Sequence, residues 1–173
     1  MKTNIKKVIL IYIIAVSCYL YNINQYQQNV VCNTELNALQ TEIISLKDSL
    51  EESKVLNEVN VWNYINYLEL KCPKIVLKQC LLESGNFKSG LVKSNNNILG
   101  LRCAKSRPYT YIGKKYGYAV FTDWKSCIDD YKLLQDKHFK GETYKEYYYW
   151  LSRSYAQDPL YIQKLKNTRL KVK

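Results

Sequence analysis

Three rhythms of apolar and polar positions follow one another along this chain. Residues 8–21 form a largely apolar run behind Lys2, Lys6 and Lys7. Residues 33–55 are mostly polar, with Leu36, Leu39, Ile43, Leu46 and Leu50 spaced in alternating steps of three and four. That spacing is the a/d seam of a helix, and Glu35, Glu42, Lys47, Glu51 and Glu52 lie off it. From Val61 the character changes to mixed aromatic and apolar. Spacing there predicts helices near 61–70 and 73–83, with Pro73 suited to a first turn. Residues 84–100 are rich in Gly and Asn, which predicts a loop with a short helix at most. Residues 107–112 and 117–121 flank Gly113-Lys114-Lys115-Tyr116-Gly117 and predict a hairpin. Asp123 is placed to N-cap a helix ending near residue 137. Helices near 144–153 and 159–166 follow, the second with Pro159 at its first position. The expected architecture is mainly α. An α+β domain with one small β-hairpin lobe fills 59–173, behind an N-terminal hydrophobic segment (1–21) and a helical, coiled-coil-like spacer (22–58).

As a helix the first apolar run spans roughly 21 Å, against a hydrocarbon core of ~30 Å. That length suits a signal-peptide core or a short signal anchor. Ala15-Val16-Ser17 offers small residues for cleavage, and Cys18 behind them leaves acylation open. The basic residues precede the run and none follows until Lys47, so the rest is expected outside the cytoplasm, secreted or held at the membrane through this segment. The seam at 33–55 covers little more than two heptads. It reads as a spacer, alone or as a homodimer.

Composition narrows the chemistry. Hydrophobic residues make up 47% of the chain, with 17 tyrosines, enough to bury a core. The net charge of +11 favours polyanions, but no nucleic-acid recognition motif accompanies it, so nucleic acid is not an expected partner. The six cysteines show no CxxC spacing and His138 is the single histidine, so no metal site and no cofactor are expected. Export leaves disulfides open, with Cys103 and Cys127 the first pair to test.

One carboxylate stands out. Glu83 ends the apolar run Ile75-Val76-Leu77-Lys78-Gln79-Cys80-Leu81-Leu82 and is followed by Ser84-Gly85-Asn86-Phe87. A carboxyl at the mouth of an apolar helix is poorly solvated, which raises its pKa. It then keeps a proton near neutrality, the state required of a general acid. Four motifs follow in order: Glu83-Ser84-Gly85, Asn95-Asn96-Asn97-Ile98-Leu99-Gly100-Leu101, Trp124 to Tyr131 with Asp130, and Tyr155-Ala156-Gln157-Asp158-Pro159-Leu160-Tyr161. This series resembles the bacterial glucosaminidase-type peptidoglycan hydrolases (glycoside hydrolase family 73, the mannosyl-glycoprotein endo-β-N-acetylglucosaminidase-like domain) over roughly residues 61–165. The resemblance implies a lysozyme-like fold acting at the cell wall, with Glu83 as the acid. It also implies cleavage of peptidoglycan glycan strands between N-acetylglucosamine and N-acetylmuramic acid. Asn96, Asn97 and Gly100 match the loop forming the groove floor, and Tyr155 matches a tyrosine lining the active site. Asp130 and Asp158 read as structural, the latter as a cap or turn, and Trp124 and Cys80 read as core.

The chain departs from the family in one respect. Many members carry a second acid in the hairpin lobe, yet residues 84–122 hold no Asp or Glu and seven basic residues. A two-carboxylate mechanism with its partner in that lobe is thereby excluded. Attack by the substrate's own 2-acetamido group is the expected substitute. The alternatives on the same fold are a muramidase, a lytic transglycosylase, or a glycan-binding protein that no longer cleaves.

Overall fold

The computed structural model describes residues 2–155 and 157–172, with side chains from residue 14 onward. The chain divides into two compact units, Met1–Ser53 and Lys54–Lys173.

The first unit is one helix, α1 (Lys2–Lys54). Its described side chains face solvent, including the seam residues Leu36, Leu39, Ile43, Leu46 and Leu50. Thr34 and Thr41 return their hydroxyls to carbonyls one turn back, which keeps them compatible with the helix. The apolar run expected to engage the membrane lies mostly among residues whose side chains are outside the described set. Among the described residues no helix is long and apolar enough to cross a membrane, so the signal-anchor reading gains no support.

The second unit is built on α3 (Pro73–Glu83), whose Ile75, Val76, Leu77, Gln79, Cys80 and Leu81 are all buried. Pro73 opens it, as its missing N–H allows. α2 (Glu58–Tyr67) packs on α3 through Val61 and Ile65. It begins three residues earlier than the apolar pattern suggested, because the Asn57 side chain accepts from the Asn60 N–H at 2.8 Å and fixes the start. α4 (Gly90–Asn95) is the short helix in the Gly/Asn-rich segment, capped by Ser89.

The hairpin is shorter and later than 107–121. Strands β1 (Gly113–Lys115) and β2 (Tyr118–Val120) pair antiparallel, with Gly113 opposite Val120 and Lys115 opposite Tyr118. Tyr116 and Gly117 form the turn with φ of 53° and 83°. Two successive positive φ values give the primed turn whose twist matches paired strands. Residues 107–112 are instead pinned as coil on α5 (Trp124–His138). Asp130 on that helix ion-pairs with Arg107 at 2.5 Å and accepts from the Thr110 N–H at 2.9 Å, and the Thr110 hydroxyl donates to the Ser126 carbonyl at 2.6 Å. Asp130 thereby takes the Thr110 N–H that a strand partner would otherwise bind. Asp123 caps α5 on the Ser126 N–H, as the pattern predicted.

α6 (Tyr144–Ser154) starts with a Thr143–Glu146 capping box. α7 (Tyr161–Asn167) begins two residues beyond Pro159. Asp158 forms the turn before it, its carboxylate accepting from the Leu160 N–H and its carbonyl from the Tyr161 N–H. Among the described residues every cysteine is a free thiol. Cys103 and Cys127, the first pair to test, are not bonded: Cys103 Sγ lies 3.8 Å from the Gly113 carbonyl, and buried Cys127 lies 3.7 Å from Asn97 Oδ1. Cys80 is in the core, where desolvation pushes its thiol well above the usual range, as for Cys127 at about 12.

Arg107 and Asp130 are both almost wholly buried, so removing one leaves the other charged without a partner. Arg107→Ala should cost about 3–5 kcal/mol, read by urea unfolding; a loss within about 0.5 kcal/mol would show that the pair contributes little beyond a surface contact.

Candidate active-site cleft

A cleft of about 820 Å³ opens where α3 ends. Its floor is Leu82, Glu83, Leu99 and Gly100. Arg102, Lys105, Tyr118, Tyr155, Asp158 and Tyr161 also line it.

Glu83 reaches the cleft because α3 stops there. Ser84 donates its hydroxyl to the Cys80 carbonyl at 2.5 Å and accepts from the Phe87 N–H at 2.8 Å. Gly85, Asn86 and Phe87 then take left-handed backbone, turning the chain away from the helix axis. The carboxyl is left half-buried at the helix mouth. Desolvation raises its pKa, and a hydrogen bond from the Tyr161 hydroxyl opposes part of that rise. Gly100 presses the opposite side. A Cβ there would stand 3.2 Å from Glu83 Oε2, and its φ of +64° is one that side chains disfavour.

The five residues singled out from the sequence separate into two groups. Glu83, Gly100 and Tyr155 meet in the cleft. Tyr155 presents its ring, since its hydroxyl donates to the Leu99 carbonyl at 2.5 Å; its motif neighbour Ala156 lies outside the described residues. Asn96 and Asn97 do not line the cleft. Asn96, left-handed at the end of α4, donates to the carbonyls of Phe121 and Thr122 at 3.1 and 2.9 Å. Asn97 is fully buried, donating to Leu101 and Ala119 and accepting from the Leu101 N–H, all within 2.9 Å. These amides clamp the hairpin to the 97–101 loop and so hold Gly100 in place.

Sequence reasoning gave no place in this site to three of its residues, one of which, Asp158, it read only as a cap or turn. Tyr161 closes the fourth motif and touches Glu83 directly. Asp158 puts a second carboxylate in the cleft, from outside the lobe where an acid was sought. It is held ionised by Lys164 at 2.6 Å and by the Leu160 N–H, which lower its pKa. Gln79 was visible only as a polar position inside an apolar helix. Its amide donates to Tyr161 at 3.4 Å and accepts from Tyr131 at 2.8 Å. Tyr147 bonds Tyr131 at 2.6 Å and accepts from Gln135 at 3.0 Å. The Lys71 N–H, which can only donate, binds the Gln135 oxygen at 2.7 Å and so fixes that amide's direction. Gln135 thus donates into the hydroxyl pair, the pair donates to the Gln79 oxygen from Tyr131 at 2.8 Å and from Tyr147 at 3.4 Å, and the Gln79 amide and the Tyr161 hydroxyl donate on towards Glu83.

Against this geometry, the comparisons give one family. The family model described as mannosyl-glycoprotein endo-beta-N-acetylglucosaminidase matches residues 69–172. The chain is 30% identical over 98 residues to Protein bax of Escherichia coli (strain K12), covering 54% of this chain and 36% of that protein. It thus spans about a third of that relative's length. Among solved structures it is similar to the catalytic domain of the autolysin Auto of Listeria monocytogenes, at 22% identity and a TM-score of 0.45, over 63% of this chain and 76% of that one.

Two outcomes follow from the Glu83 environment. A glutamate whose folded pKa is raised contributes stability that is intact below its unfolded pKa of 4.5 and lost as pH rises through the folded value. Glu83→Gln should therefore unfold at higher temperature than wild type near neutrality and converge with it as pH falls past 4.5; a pH-independent difference would remove desolvation as the cause. Gly100→Ala should cost about 1–2 kcal/mol in urea titration and impair turnover as well, because the new methyl meets the carboxyl.

Proposed function

The chain belongs to the glucosaminidase family, and from that premise we propose that it hydrolyses peptidoglycan glycan strands at the N-acetylglucosamine–N-acetylmuramic acid linkage, with Glu83 as general acid. The observation that carries this reading is a desolvated carboxyl at the cleft floor whose pKa burial raises. Glu83 is desolvated and pressed by the Gly100 backbone, while the other cleft carboxylate, Asp158, is committed to Lys164 and a backbone N–H.

The steps use one protein carboxyl. Glu83 gives its proton to the glycosidic oxygen as the C1–O bond breaks. The carbonyl oxygen of the 2-acetamido group closes on the anomeric carbon from the opposite face and forms an oxazolinium ring. The glycan bearing the new hydroxyl leaves. Water then attacks C1 as the ring C1–O bond breaks and the acetamido group re-forms, Glu83 takes the water's proton, and a reducing N-acetylglucosamine end results with the acid restored. The donor chain through Gln79 keeps Tyr161 aimed at Glu83 and supports the carboxylate formed midway. Tyr155 forms a wall against which the sugar packs. Asn96, Asn97 and Gly100 shape the floor, the asparagines by holding the loop. We place the enzyme outside the cytoplasm at the cell wall, delivered by the basic and apolar N-terminal segment.

Dye release from purified walls should fall by about 10²–10⁴-fold in Glu83→Gln, and equal activity in the two proteins would end the acid role. Mass spectrometry of the products tests the linkage. A reducing N-acetylglucosamine is expected, whereas a reducing muramic end would mark a muramidase and an anhydro sugar a transglycosylase. Wall binding without any release would mark a non-catalytic binder.

A further inference from the structure

We propose that residues 29–50 of α1 form a docking surface for a second copy of this chain, as a parallel, in-register two-stranded coiled coil in which the two Cys32 thiols face each other and close an interchain disulfide. α1 runs unbroken through these residues. With Leu36, Ile43 and Leu50 at a and Leu39 and Leu46 at d, the seven-residue repeat continues backwards to Cys32 at d and Asn29 at a. The five aliphatic side chains are 50–62% exposed, so one stripe of the helix is left in water. A stripe of that spacing finds its complement in an identical helix, where each a and d side chain enters a hole of the partner.

Charge selects the parallel, in-register pairing. In that arrangement a g position meets the e position five residues on in the other strand. Glu42 is a g position and Lys47 is the e position five residues later. Glu42 therefore meets the partner's Lys47, and Lys47 meets the partner's Glu42. An antiparallel pair would set g against g and lose both ion pairs. Ile43 at a with leucines at d favours two strands, and a polar Asn at a fixes register.

Cys32 is exposed, and at a d position it faces its own counterpart across the seam. Convergent Cβ atoms are what a disulfide requires. The oxidant is a small-molecule disulfide such as oxidised glutathione. Two Cys32 thiols and one such disulfide give the interchain bond and two released thiols, through one mixed disulfide. The seam is short, so non-covalent association is weak and the covalent bond makes the dimer persist.

The test is independent of glycan cleavage. The full chain is incubated with a glutathione redox buffer and followed by non-reducing electrophoresis, peptide mapping and sedimentation. A species of twice the 20.4 kDa chain mass is expected, containing a Cys32–Cys32 peptide. Leu39→Lys with Leu46→Lys keeps good helix formers and should slow that cross-link at least about tenfold. Glu42→Lys should slow it too, and Glu42→Lys with Lys47→Glu should restore it. Cross-linking at the wild-type rate in the Leu39→Lys, Leu46→Lys chain would overturn the proposal. So would a dimer whose mapped cross-links omit Cys32, or a monomer at every concentration in sedimentation.

Discussion

The backbone of Gly100 passes so close to the Glu83 carboxyl that even a methyl group at that glycine would crowd Oε2. Keeping that approach constrains elements on both sides. On one side α3 must end at Glu83, which the Ser84 hydroxyl and three left-handed residues secure. On the other the 97–101 loop must not drift. Asn97 ties it to its own end and to β2, and Asn96 ties the end of α4 to the chain entering α5. The asparagines were read as part of a substrate loop, and their chemistry is that of clamps. Their amides have no capacity left over for a ligand on the donor side, yet without them the floor would have no fixed height.

The same carboxyl sets the need for the polar chain through the core. Burying hydroxyls and amides without partners costs on the order of 1–3 kcal/mol each. Among the described residues no buried side-chain nitrogen or oxygen lacks a partner. Tyr131, Tyr147, Gln79 and Gln135 satisfy one another across three helices, and the chain ends on a backbone N–H at Lys71 and on Tyr161 at Glu83. Because its far end is anchored on a group that cannot reverse, its direction is defined. A hydroxyl that donates to Glu83 favours the ionised form, while burial favours the protonated one. The two act in opposition on one carboxyl, with burial the larger influence.

Much of the fold was legible where local signals and apolar spacing agreed. Pro73 and Asp123 marked helix starts that the structure keeps, and the Glu83 helix end followed from the glycine and serine after it. The misreadings fell where a distant partner overrides local pattern. Residues 107–112 look like a strand from their side chains alone, but buried Asp130, twenty-three positions beyond Arg107, claims their polar groups. The Asn cluster likewise looked ligand-facing because nothing local reveals which carbonyls lie above it. Within the site, Glu83 and Gly100 were legible because each shows its constraint in its neighbours' composition. Tyr161 and Gln79 were not, since among 17 tyrosines a single hydroxyl contact carries no sequence signature.

The acid-free lobe gives the remaining step. From residue 84 to 122 the chain offers only cations, and Arg102 lies over the Tyr118 ring at 5.7 Å on the cleft wall. A second carboxylate placed there would face that positive field, ionise and draw a counter-ion into the cleft. The second carboxylate lining the cleft, Asp158, is already paired with Lys164 at 2.6 Å. The field that remains suits a substrate bearing negative charge beside a neutral acetamido sugar. Burial, not a neighbouring anion, is what raises the Glu83 pKa on the cleft floor. A desolvated carboxyl and a basic lining are thus what the cleft offers to the proposed reaction, in which the proton comes from Glu83 and the nucleophile from the glycan itself.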